Sequence, residues 1–277
     1  MNAFMRFPGG KCKAFTMSYD DGVQQDVKLI SIMRKNGVKG TFNLNSGVFA
    51  AEGTVYPEGQ IHRRMTLNEC KKAYAGEDIE VAVHGLTHPF LEQLSRGECT
   101  KEILEDRINL EREFGCMVRG SAYPFGTTND NVVESLKACG IAYARTVVST
   151  HAFGIPSDWL RLPATCHHND ALLNELGDKF LALRSDRGAY LFYLWGHAYE
   201  FEANDNWNVI EEFLAKIGHK DDVWYATNIE IYDYVKAFEQ LIFSADGLKV
   251  YNPTATELWL ERGRTVYKIG AGETITF

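Results

Sequence analysis

The sequence predicts an α/β protein of about seven strand and helix alternations, followed by a small antiparallel β appendage. Three observations lead there. Short β-rich runs recur along most of the chain, and each is followed by a stretch with helical apolar periodicity. Past residue 242 the helical pattern stops and short alternating runs replace it. At 277 residues the chain is long enough for one α/β domain, placed at 1–241, with residues 242–277 left for the appendage.

Taken in order, residues 13–19 (KAFTMSY) form a nearly continuous apolar run, read as a buried strand that stops at Asp20-Asp21-Gly22. Residues 24–35 carry Val27, Ile30 and either Met33 or Leu29 on one face, with Gly37 as the helix stop. Residues 40–44 (GTFNL) are the next strand. Thr66 followed three residues later by Glu69 predicts a capping box at the start of a short helix. Residues 79–83 read as a strand, 101–114 as a helix, and the stretch 121–126 as a strand end. Helix 129–138 stops at Gly140 and feeds strand 141–144. Strand 160–165, helix 170–183, the very apolar strand that begins at Tyr190, helix 206–217, strand 222–227 and helix 229–241 complete the alternation. Residues 248–251, 257–260, 265–269 and 273–277 are short β runs parted by Asn-Pro, Arg-Gly and Ala-Gly turns. That appendage is too short to bury a core alone and must pack on the main domain.

Strand ends carry the chemistry. Adjacent residues of an extended chain point to opposite sides, so of Asp20 and Asp21 one carboxylate can ligate a metal while the other faces a substrate. Alone, Asp-Asp-Gly is an ordinary strand-ending turn. After residues 79–83, however, come His84 and His88, spaced so that a tight turn brings both imidazoles to one cation. Two His and one carboxylate leave coordination positions open, which favours catalysis over a structural site. Tyr123-Pro124-Phe125-Gly126 and Leu194-Trp195-Gly196-His197 close two further strands.

Asp-Asp-Gly, His-x-x-x-His, Tyr-Pro-Phe-Gly and Leu-x-x-His in that order resemble the polysaccharide deacetylases of the NodB homology type, the family 4 carbohydrate esterases, over roughly residues 10–240. The resemblance implies an irregular (β/α) barrel and metal-dependent removal of acetyl groups from an acetylated sugar or oligosaccharide. It implies Asp20 as general base, His197 as general acid, and Asp21, His84 and His88 as ligands of one divalent ion. By the same resemblance that ion would be zinc, with cobalt, nickel or manganese as alternatives. Leu194 would line the pocket for the acetyl methyl group, and the backbone N–H near Phe125 would help to hold the oxyanion. Tyr123, Phe125, Leu194, Trp195 and His168 are the expected substrate contacts.

The chain also departs from that pattern. The arginine that the family places four residues before the motif glycine is Ala122 here, leaving Arg119, Arg145 and Arg161 as candidates to hold Asp20. An Asp-Trp element that would orient the acid matches Asp158-Trp159, but this pair precedes strand 160–165, whereas barrel sites lie at strand C-termini. Cys166, His167 and His168 occupy that better end, and His167 or His168 is expected to reach the pocket.

Bulk properties narrow the function. A net charge of −8 disfavours nucleic acid or an anionic membrane as partner. Six cysteines without a C-x-x-C pair read as reduced core thiols. The first residues lack the apolar core of a signal peptide, so a cytoplasmic chain is expected. Two other readings share these residues: a hydrolase opening a C–N bond in a small cyclic amide or ureide, and a non-catalytic carbohydrate-binding relative.

Overall fold

The computed structural model describes residues 3–184 and 188–277. Strand β1 (Ala3–Arg6) precedes β2 (Lys13–Asp20); α1 (Asp26–Lys35) leads to β3 (Gly40–Leu44), α2 (Leu67–Ala73) to β4 (Ile79–Val83), α3 (Arg96–Phe114) to β5 (Gly120–Ala122), and α4 (Asp130–Ala138) to β6 (Tyr143–Ser149). Then come β7 (Leu162–Ala164), β8 (Cys166–His167), α5 (Leu173–Ala182), β9 (Tyr190–Gly196), α6 (Tyr199–Ala203), α7 (Trp207–Ile217), β10 (Val223–Tyr225) and α8 (Asn228–Phe238).

All residues of β2 are buried because the strand is covered on both faces. Phe15, Met17 and Tyr19 pack outward in one core with Leu29, Ile30 and Met33 of α1 and Phe213 of α7. Thr16, Ser18 and Asp20 point the other way, into a polar interior. The strands run parallel in the order β7-β6-β5-β4-β3-β2-β9-β8, with β10 beside the start of β2. The two ends of this order are one stretch of chain. Residues 162–164 pair with β6 and residues 166–167 with β9, and the intervening Thr165 donates to Tyr193 O at 2.8 Å. The sheet therefore returns on itself through seven strand positions, the irregular barrel that the resemblance implies.

One end of the barrel is plugged by the first turn of α8. Asn228 accepts from Thr16 Oγ1 at 2.8 Å and donates to Tyr193 Oη at 2.7 Å, while Glu80 Oε2 accepts from the Ile229 backbone at 2.9 Å. Burial pushes the Glu80 carboxyl up to about 7, against the pull of those hydrogen bonds. The other end, where the strands finish, stays open for side chains.

Element boundaries differ where side chains compete with the backbone. The capping box at Thr66 and Glu69 forms as the spacing predicts; such a cap is worth about 1 kcal/mol. Residues 159–161 form a 3₁₀ turn rather than the start of a strand, because Asp158 Oδ1 accepts from the Leu160 and Arg161 backbones. Asp170 likewise captures the Leu172 N–H at 2.9 Å and delays α5 to Leu173.

Past α8 lie β11 (Ile242–Phe243), β12 (Lys249–Tyr251), β13 (Leu258–Arg262), β14 (Thr265–Ile269) and β15 (Thr274–Thr276). They form two three-stranded sheets, and one of them recruits β1 from the N-terminus, which pairs antiparallel with β13. Arg6 and Glu261 form a buried ion pair at 2.7 Å across that junction. Val250, Leu260 and Ile269 make a small local core, and Leu258 joins the barrel core beside Tyr234. Cys70, Cys99, Cys139 and Cys166 are buried free thiols, whereas Cys116 is exposed and Cys12 half-buried, so the core reading holds for four of six. Among the described residues no helix is long and apolar enough to cross a membrane.

Candidate active site

Asp20 is the last residue of β2, and its carboxylate is almost wholly buried. A buried carboxylate requires donors. Asn43 Nδ2 from β3 reaches Oδ1 at 2.8 Å, and the guanidinium of Arg145 from β6 contacts both oxygens through Nη2. Arg145 is fully buried, donates from Nε to Ser18 Oγ at 3.3 Å, and lies 4.5 Å above the Trp195 ring. Its Cα partner in the ladder is Ala122. The cation missing from residue 122 is thus supplied from the same level of the neighbouring strand. Burial pushes the Asp20 carboxyl up, but the charge of Arg145, aided by His84 and His197, outweighs it and holds Asp20 below its ordinary value. Arg119 instead pairs with Asp233, and Arg161 with Asp130 and Asp158.

Asp21 follows with φ at 83°, a conformation that costs a non-glycine residue about 1–2 kcal/mol. This turn points its carboxylate at the end of β4, where the ligand atoms of Asp21, His84 and His88 all lie within 4.8 Å of one another. His84 Nδ1 faces Ala122 O at 2.9 Å and must donate to it, so Nε2 carries the free lone pair. Asp106 fixes the backbone at His84 by accepting from His84 N at 3.1 Å and Ser46 N at 2.7 Å. Burial lowers the His84 imidazole and brings His88 down to about 4, while Asp21 lies well below the usual carboxylate range because the His62 hydrogen bond and nearby cations outweigh its burial. All three groups are therefore unprotonated at neutral pH and could hold a cation. Tautomer and charge both fit a divalent cation.

On the other side of Asp20, His197 Nε2 lies 3.7 Å from Asp20 Oδ2, nearly the 3.8 Å that separates this oxygen from His84 Nε2. His197 Nδ1 meets Glu200 Oε1 at 3.1 Å. Glu200 is crowded with further partners: His167 Nε2 at 3.2 Å, His168 Nε2 at 3.0 Å and Asn169 Nδ2 at 3.1 Å. Burial disfavours charge on His197, yet the Glu200 hydrogen bond and the Asp20 and Asp21 charges raise it above its ordinary value. Glu200 itself is held far below the carboxylate range, its burial outweighed by the three imidazoles. His167, His197 and Glu200 also lie close enough to share an ion. The tautomer argues against one: His167 Nδ1 accepts from Asn169 N at 3.1 Å, so Nε2 bears the proton and has no lone pair to give.

The sequence-predicted substrate contacts divide. Phe125 is half exposed at the mouth, with φ at 58°, its ring 4.6 Å from His88 and stacked on Phe90 at 3.8 Å. Trp195 faces the barrel interior beside Arg145. Leu194 does not line the site. Strand alternation puts His197, Trp195 and Tyr193 on one side and Leu194 on the other, where it is buried in the outer core with Phe192 and Met17. Tyr123 is buried with its hydroxyl donated to Leu160 O. His168 is buried between Tyr19 and Phe201, so close to Gly196 that a Cβ there would meet its Nδ1 at 1.9 Å. His167 reaches the Glu200 cluster with a partly exposed ring. Asp158 caps its own turn and does not approach His197. Glu200, three residues after His197, and Asn43, at the end of its strand, escaped the sequence reading. The first had a local signal in its i+3 spacing; the second had none.

Comparison with known proteins bears on family and fold. The sequence model of the polysaccharide deacetylase family matches residues 8–144. A Mycobacterium smegmatis protein assigned to the polysaccharide deacetylases superposes with a TM-score of 0.59 at 19% identity, over 86% of this chain and 95% of that one. The Xyl-CE4 domain of a multidomain xylanase from the hindgut metagenome of Trinervitermes trinervoides gives a TM-score of 0.52 at 14% identity, over 81% and 92%. The chain spans 62% of the length of the Streptococcus pyogenes deacetylase PplD, with 53% of its own residues, 20% identity and a TM-score of 0.44. These likenesses are of fold. No curated protein matches the sequence. Over residues 8–144 the chain thus carries the sequence pattern of the polysaccharide deacetylase family, on a fold like that of its solved members.

Proposed function

We propose that the chain is a metal-dependent hydrolase that removes acetyl groups from an N-acetylated or O-acetylated sugar. The observation that carries this reading is the position of Asp20 Oδ2, 3.8 Å from a ligand imidazole and 3.7 Å from His197. One oxygen faces both the place where water is activated and the group that must later give up a proton. Asp21, His84 and His88 would hold the cation, which when bound polarises the acyl carbonyl and makes a nearby water more acidic.

The rest is done by side chains. Asp20, kept ionised by Arg145, takes a proton from the attacking water as its oxygen bonds to the acyl carbon. The backbone N–H at Phe125 supports the charge that develops on the carbonyl oxygen. His197, kept protonated by Glu200, then gives its proton to the departing sugar nitrogen or oxygen as that bond breaks. Acetate and the free amine or alcohol leave.

Stacked Phe90 and Phe125, both part-exposed beside His88, suit the apolar face of a sugar ring. The test combines metal content with acetate release from chitooligosaccharides and acetylated xylan. Acetate release that requires the metal is expected. Bound metal with no acetate from either polymer would turn the reading toward a small cyclic amide or ureide.

A further inference from the structure

Asp21 is held by a segment outside the family motifs. Residues 60–64 cross from the loop after β2 to α6 and are pinned on both sides of His62. Gln25 Nε2 donates to Ile61 O at 2.7 Å, Gln24 N donates to Arg63 O at 2.8 Å, and Met65 N donates to Gly22 O at 2.8 Å. Arg63 makes two contacts of 2.8 Å with Glu202. Between these anchors His62 Nε2 stands 3.2 Å from Asp21 Oδ2, with its ring against Tyr199 at 5.0 Å. Arg64 holds both the backbone and the carboxylate of the strained residue, donating to Asp21 O at 2.8 Å and from Nη2 to Asp21 Oδ1 at 3.3 Å, and to Asn45 Oδ1 at 2.9 Å. Asn45 in turn donates to the Gly85 carbonyl at 2.7 Å, next to His84. The strap thereby ties the end of β2 to the end of β4.

We propose that His62 is a positioning residue for the metal: its Nε2–H occupies Asp21 Oδ2 and so turns Oδ1, 3.6 Å from His88 Nε2 and braced by Arg64 Nη2 at 3.3 Å, toward the cation. This rests on the reading of Asp21, His84 and His88 as the metal ligands. His62 lies outside that cluster, so its effect is on the orientation of a ligand and not on ligand number. Partners of this kind change metal affinity by about 10- to 100-fold when removed.

The test is a zinc titration of metal-stripped protein against a fluorescent chelator, with thermal melting of the stripped protein alongside. His62→Ala is expected to raise the zinc Kd about 10- to 100-fold while the metal-free protein stays folded with only a small fall in Tm, because the ring is 40% exposed. His62→Gln keeps an N–H at the same reach and is expected to restore most of the affinity. A His62→Ala protein that binds zinc as tightly as wild type, while His84→Ala does not bind, overturns the role of His62 and leaves the ligand set standing. A His62→Gln protein as weak as His62→Ala overturns the donor role. Wild type and His84→Ala that bind zinc equally would overturn the ligand set itself, and this inference with it.

Discussion

Arg145 of β6 meets both carboxylate oxygens of Asp20 of β2 inside the barrel, and the guanidinium is completely shielded from water. Such a pair gains little over an apolar replacement of both partners, but losing one partner leaves a charge stranded, at a cost of about 3–5 kcal/mol. Its value lies in fixing one carboxylate, in one orientation and ionised.

Arg145→Ala is therefore expected to lower kcat far more than it raises KM, and to move the acid limb of the kcat/KM profile upward, since Asp20 loses the cation that keeps it deprotonated. Arg145→Lys recovers little, because an ammonium cannot reproduce the planar fork. Ala122 and Arg145 are Cα partners, so the double variant Ala122→Arg/Arg145→Ala returns a guanidinium from the adjacent strand and should regain part of the lost rate. A pH profile for each protein checks all three expectations.

Glu200→Gln tests the opposite limb. Glu200 raises His197 above its ordinary value through the 3.1 Å contact at Nδ1. A neutral amide removes that stabilisation of the imidazolium, so His197 loses its proton at lower pH and the alkaline limb moves down. Asp158→Asn, whose carboxylate caps the 3₁₀ turn and pairs with Arg161, should leave this limb in place. Steady-state rates across the alkaline range distinguish the two.

How far the sequence carried this site depends on whether a relationship is local. Asp20, Asp21, His84 and His88 were legible because they sit within a few residues of strand ends, and turn chemistry places them. Leu194 was misplaced for a reason also visible in sequence: strand parity from His197 runs through Trp195 and Tyr193, so a residue three positions away faces the helices. Arg145 was different. It stood among three candidates, and only the register of β5 against β6 puts it level with Ala122. No local pattern encodes that register. Recruitment of β1 into the C-terminal sheet was hidden for the same reason, its partners lying more than 250 residues away.

Stability should carry a signature of its own at Asp26. This carboxyl is wholly buried; both of its hydrogen bonds, from Tyr74 Oη at 2.6 Å and Val23 N at 3.1 Å, fall on Oδ2, and Oδ1 has no partner among the described residues. Burial raises it to about 8, more than those donors lower it. A group raised in the folded state contributes stability fully only below its unfolded value near 3.9, and loses it as pH rises through about 8. Asp26→Asn keeps an acceptor for Tyr74 and Val23 without that linkage. Its Tm should exceed that of wild type at pH 8 and approach it near pH 4; a constant difference across the range would contradict the assignment.

Two substitutions separate base from ligand. Asp20→Asn keeps an acceptor for Arg145 and leaves Asp21, His84 and His88 untouched, so it should retain the metal and lose most turnover. His84→Ala removes a buried imidazole whose Nδ1 is already oriented by Ala122 O, and should lose the metal itself. Metal analysis of the purified proteins decides between these roles, because a base does not hold the ion and a ligand does. Equal metal loss in both variants would mean that Asp20 is itself a ligand, and the proton acceptor would have to be sought elsewhere on the barrel rim. Equal retention would take His84 out of the ligand set and leave Asp21 and His88 to hold the ion without it.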